Sequence, residues 1–223
     1  MDDLFGLIDA GDRLAVERFL DRDPSGAAAR DRDGISAVMH ALYRGQRPIA
    51  ELLAARLEED GRELNLFEAA SIGRVATVER LLGGDPALAG SWSSDGFTAL
   101  HYAAFFGGGD AAAMLLRGGA DPDLRSRNDF AVMPLHSAVA AGHADVVAAL
   151  LAAGADPNVR QPHGFTALHG AAQHGDAGIA EQLLQAGADA AATADDGMTA
   201  VTLAAAGGHE GLAERLSAAM GEA

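Results

Sequence analysis

A chain of 223 residues with 49% apolar but only 5% aromatic content can bury a core, one built mainly from alanine and leucine. Its net charge of −16 repels phosphate backbones and argues against nucleic acid as a partner, and the lack of cysteine excludes disulfides and thiolate metal sites. No apolar run approaches the ~18 residues of a membrane span, and the opening MDDLFGLIDAGD lacks the basic-then-apolar order of a signal peptide. No membrane association is therefore expected, and a cytoplasmic protein is. All sixteen basic residues are arginine, which with abundant alanine and glycine suggests a GC-rich bacterial genome. The acidity fits a salty habitat or simple solubility equally well.

The chain repeats itself. Leu100, Leu135, Leu168 and Val201 follow one another at intervals of 35, 33 and 33 residues. A period in that range marks a stacked array, in which each unit touches only its neighbours. In chain order, seven units are expected over 1–30, 31–63, 64–93, 94–125, 126–160, 161–193 and 194–223, together forming one domain.

The first unit is degenerate: Leu4 takes the leucine position, Val16, Phe19 and Leu20 line a second helix, and Asp23-Pro24 breaks it. Its acidic residues Asp2, Asp3, Asp9, Asp12 and Glu17 suit a solvated cap. The second unit begins at the turn Asp33-Gly34, with Val38 in place of leucine and Pro48 at the start of its second helix. A charged turn, LEEDGRE over 57–63, leads to the third unit, which runs from Leu66 through Gly73 to Leu82 and ends in Gly83-Gly84-Asp85-Pro86.

From Ser94 the match between units is close. The fourth to sixth units each have T-A-L-H or M-P-L-H opening an Ala-rich helix, a glycine, a second helix ending in Leu-Leu, and G-A-D, with a glycine turn before each T-A-L-H. In the sixth unit Leu168, Ala171 and Ala172 give one apolar stripe, and Ile179, Leu183 and Leu184 give another. Two such short helices cannot bury their stripes without neighbours. Two extra residues between Asp123 and Leu135 predict one longer fingertip. The last unit has Thr202 in place of histidine, and Glu210, Glu214 and Arg215 mark it as a second cap.

The 33-residue period, T-P-L-H-x-A and G-A-D together resemble the ankyrin repeat. The resemblance covers nearly the whole chain and is strongest over Ser94–Thr193. It implies an all-α solenoid of about seven helix-turn-helix units with short β-hairpin-like loops. It also implies a protein–protein interaction module without activity of its own, with loop tips and exposed first-helix faces forming a concave recognition surface.

His101, His136 and His169 form a column, one per unit. Packed helices lie roughly 8–10 Å apart and metal–nitrogen bonds are about 2 Å, so histidines one unit apart do not share an ion. The resemblance implies instead that they hydrogen-bond neighbouring backbone and the motif threonines Thr98 and Thr166. There is no H-E-x-x-H, G-x-S-x-G or P-loop pattern, and Gly107-Gly108-Gly109 reads as a turn. No catalytic residue, cofactor or metal is expected.

The aromatic residues are more informative. Trp92, Phe97, Tyr102, Phe105, Phe106 and Phe130 fall within 39 residues, and Phe165 follows one unit later, beside His163. Arg125 and Arg127 lie on the long fingertip. Trp, Tyr and Arg are enriched at binding hot spots, so these ten residues are the expected docking patch for a protein partner on a monomeric chain. Three rival roles share the sequence: an inhibitor or regulator of one enzyme, self-association through the patch, and a small-molecule binder or enzyme. The last would need a deep pocket with convergent polar groups.

Overall fold

A computed structural model describes residues 3–221. Met1, Asp2, Glu222 and Ala223, at the ends of the first and last expected units, lie outside them. The described residues form consecutive helix pairs: α1 (Leu4–Asp9) with α2 (Arg13–Arg22), α3 (Ala37–Tyr43) with α4 (Arg47–Glu59), and α5 (Leu66–Ile72) with α6 (Val75–Gly84). There follow α7 (Ala99–Phe106) with α8 (Gly109–Arg117), α9 (Pro134–Ala141) with α10 (Ala144–Ala152), α11 (Ala167–His174) with α12 (Ala177–Gln185), and α13 (Ala200–Ala206) with α14 (Glu210–Gly221). The architecture is an all-α solenoid.

Local chemistry sets both ends of the first helices. Ser36 and Thr199 cap α3 and α13 with their hydroxyls, and Asn65 and Glu68 form a reciprocal capping box on α5. Left-handed glycines, among them Gly107 and Gly142, close the C-termini. Second helices α2 and α12 start on Asp12 and Asp176, whose carboxylates accept from the Ala15 and Ile179 amides and sit at the positive end of the helix dipole.

First helices pack on one another in chain order from α1 to α13, and second helices stack from α6 to α12. Leu100, Leu135 and Leu168 are buried between units, whereas Val201, which meets only one neighbouring unit, is half-buried. Alanines 103, 104, 138, 171 and 172 are fully buried; their small side chains let short helices approach closely.

The loops depart from the expected hairpins. Among the described residues there is no strand, only isolated bridges between Arg30 and Ser36 and between Thr193 and Thr199. The fingertips are reversals closed by backbone bonds, such as Ser93 N–H to Phe97 O at 2.9 Å and Gln161 N–H to Phe165 O at 2.9 Å. Fingertips also join edge to edge, with Arg127 N–H donating to Gly96 O and Asp195 N–H to His163 O. In the G-A-D turns Asp121, Asp156 and Asp189 each accept the backbone N–H two residues on. The residues two further along then reach the next unit: Asp123 accepts from the Asp156 amide and Asn158 from the Asp189 amide.

The glycine that ends a first helix also makes room for its neighbour. Gly107 has φ +80°, and a Cβ there would lie 2.6 Å from the His143 ring of the next unit, whereas one at Gly142 (φ +74°) would meet nothing within 4 Å. Gly142→Ala is therefore expected to cost only the left-handed conformation, about 1 kcal/mol. Gly107→Ala should lose at least twice that in urea denaturation. Equal losses would refute the packing role of His143.

Candidate functional site

The three motif histidines are structural joints. The Thr98 N–H donates to His101 Nδ1 at 3.3 Å, the Thr98 hydroxyl lies 2.8 Å from the same nitrogen, and Nε2 lies 3.0 Å from Val132 O on the next fingertip. A carbonyl can only accept and an amide can only donate, so the ring is neutral with its proton on Nε2. His169 repeats this with Thr166 and Met198 O, and His136 with the Met133 amide and Val159 O. Burial pushes His101 and His136 down to about 4 and lowers His169 as well, with the backbone carbonyls only partly opposing it.

On the concave face the first helices and fingertips enclose a groove of about 560 Å³. Counting from each helix cap shows why. Positions four and seven residues beyond Thr98, Met133 and Thr166 are Tyr102 and Phe105, Ser137 and Ala140, Gly170 and Gln173, and all six line the groove. At these positions large rings therefore stand on α7, while α9 presents Ser137 and Ala140 and α11 presents Gly170 and Gln173. Phe97, Phe130 and Phe165 close the fingertip side, and Gln161, Gln173 and His174 gather at the far end.

The rings form a continuous network. Tyr102 stacks on Phe106 (6.4 Å between centroids, 11° between planes), Phe97 on Phe130 (6.4 Å, 19°), and Phe97 meets Tyr102 edge-on at 5.8 Å. Phe105 stands at right angles to Phe106, and Tyr43 lies 6.1 Å from Phe106.

Tyr43 was not part of the expected patch. It comes seven residues after the cap Ser36, as Phe105 does after Thr98, and that register was the available signal. It reaches over α5 into the fourth unit. Its hydroxyl donates to Asp95 and lies 3.1 Å from the Tyr102 hydroxyl, and Asp95 also accepts from Tyr102 and from Ser93 at 2.5 Å. Arg47 adds a second strap to Phe106 O at 2.9 Å. Burial works against ionising Asp95, but the three hydroxyl donors outweigh it and hold its carboxyl below the usual range. Burial and the Asp95 carboxylate push both phenols well above theirs.

The ten expected patch residues separate into groups. Phe105 and Phe130 are exposed in the groove, at 50% and 68%; Phe97, Phe106 and Phe165 are half-buried in its walls. Tyr102, expected as an exposed anchor, is only 5% exposed, because it packs between Phe67, Phe97 and Phe106. Arg125, expected in the docking patch, donates to Ala131 O and Arg160 O, and Arg160 in turn donates to Thr193 O. Arg127 lies 4.3 Å over the Trp92 ring, outside the groove. His163 is exposed in a left-handed turn (φ 66°) bordering a shallower depression beside the groove.

Stacked helix pairs joined cap to fingertip define a repeat solenoid. A family model for ankyrin repeats in three copies matches residues 119–194 and 135–221, and one for a single ankyrin repeat matches residues 95–127. Together they span 95–221, more than half of the sequence, and the chain belongs to the ankyrin repeat family. No curated protein matches it. Ankyrin repeats are in general protein–protein interaction modules and typically non-catalytic.

Two predictions follow from this geometry. The folded pKa values of His101 and His136 lie below the unfolded value of about 6.5, so the unfolded chain binds more protons in acid. Their contribution is complete above pH 6.5 and is lost as pH falls towards 4, up to roughly 3 kcal/mol each. Urea denaturation from pH 7 to 5 should show falling stability, and His101→Gln/His136→Gln should be less stable at pH 7 with a flatter slope; an unchanged slope would contradict the assignment. A double-mutant cycle of Tyr43→Phe and Asp95→Asn should give a coupling of about 1 kcal/mol, and additivity would remove the strap.

Proposed function

We propose that the chain is a non-catalytic, monomeric, cytoplasmic interaction module that docks a partner protein on its concave loop and first-helix face. One observation carries this reading. Of the five large apolar side chains exposed among the described residues, Tyr43, Phe105 and Phe130 all border the same groove. Aromatic rings clustered around an unfilled apolar groove are the arrangement found at interaction sites and hot spots. The neutral state of the cap histidines, with both nitrogens engaged, supports a role without general acid–base chemistry.

The groove's size and the polar groups Gln161, Gln173 and His174 also favour a second reading, a small-molecule site in the same place. A dedicated enzyme inhibitor would use the same contacts with a single partner.

Phe105→Ala/Phe130→Ala tests the face with little effect on folding, since both rings are exposed. In an affinity pull-down from native lysate, wild type is expected to retain a protein that the double variant loses, with circular dichroism melts matched to within a few degrees. A partner captured equally by both would move the docking site elsewhere. Concentration-dependent light scattering by wild type alone would point to self-association through the rings.

A further inference from the structure

The groove continues beyond its aromatic end. Gln161, Phe165 and Gln173 line both it and an adjoining depression that carries Asp195 and Asp196. The groove itself is lined by no arginine, aspartate or glutamate. Along one track the surface thus changes from aromatic, to amide, to carboxylate.

Among the described residues the charges on this side form no ion pairs, although Asp196 accepts the Met198 N–H. Among the described residues every ion pair lies between residues 9 and 80. Residues 94–223 hold five arginines against fifteen aspartates and glutamates. The arginines nearest the fingertips are occupied: Arg125 and Arg160 by backbone carbonyls, Arg127 by the Trp92 ring. Asp129, beside the exposed Phe130, and Asp195 pair with no cation among the described residues, and both are exposed. The Gln161 and Gln173 amides make no side-chain hydrogen bond among the described residues, and each offers a donor and an acceptor, the pairing that a peptide main chain requires.

We infer that the occupant of the groove is a basic peptide segment of the partner protein. It would place one large apolar side chain among Phe105, Phe106 and Phe130 and an arginine or lysine against Asp195 and Asp196. This rests on the docking role proposed for the groove. The apolar anchor supplies contact area, while the carboxylates select a cationic sequence and reject acidic ones.

The test is selection from a random peptide library displayed on phage against the full chain at low salt, followed by fluorescence anisotropy of the labelled consensus peptide. Enriched peptides are expected to share an aromatic or leucine and at least one basic residue. Phe105→Ala should weaken binding at least ~30-fold, and Asp195→Asn/Asp196→Asn about fivefold, with a shallower salt dependence. Peptides without basic residues, or bound equally by the double asparagine variant, overturn the basic-peptide inference but leave groove docking intact. Peptides bound equally by Phe105→Ala overturn the docking reading itself. A selection that enriches nothing overturns the linear-peptide inference, and the lysate experiment then stands alone for the groove.

Discussion

One buried imidazole per unit holds the central array in register. His101 and His169 each join the cap of a first helix to a carbonyl one unit on, His136 joins its cap to Val159 O at the end of its own unit, and only the neutral ring with its proton on Nε2 satisfies both ends. The bond does more than join neighbours. Val132 O belongs to the fingertip that carries Phe130, and Met198 O to the turn that carries Asp195 and Asp196. The fingertip walls of the groove are therefore positioned by buried groups of the stack, of which His101 and His136 also line its floor. The extra fingertip residues between Ser126 and Val132 are held at the same time by the Ser126–Val132 backbone bond and by Asn128 donating to Asp95 O.

A repeat array normally divides its stability into units and nearest-neighbour interfaces. This chain adds a second-neighbour contact. Tyr43 and Arg47 of the second unit reach the fourth, passing over α5, six of whose seven residues are buried. The third unit is thereby enclosed, and the aromatic end of the groove is assembled from two units that are not adjacent in sequence. The strap also explains why Asp95 is ionised although partly buried: it is the acceptor on which two units converge.

The repeat was legible because its signals are local. The period, the cap threonines and the terminating glycines each act within a few residues, so the helices from Ala99 to Gln185 could be read directly. The groove was legible only in part. Phe105 stands on a first helix and Phe130 in a loop between units, but Tyr102, on the same helix as Phe105, is buried by Phe67 of the preceding unit. Arg125 was expected in the docking patch because nothing local reveals a carbonyl 35 residues away. Tyr43 escaped notice for the same reason, since its partners are 52 and 59 residues distant. What separates units determined what could not be read.

The groove exists because of what α9 and α11 omit. If Ser137, Ala140 and Gly170 were as large as their counterparts Tyr102 and Phe105, the face would fill with its own rings, as the space around Tyr102 already has. Small residues there leave Phe105 and Phe130 half or more in water, an arrangement that gives up apolar burial the fold could otherwise have gained. Packing alone would favour closing such a gap, and alanine-rich helices elsewhere in the chain do close theirs. An apolar cleft kept open between such walls is the feature on which the proposed docking role rests, because the requirements of folding alone do not call for it.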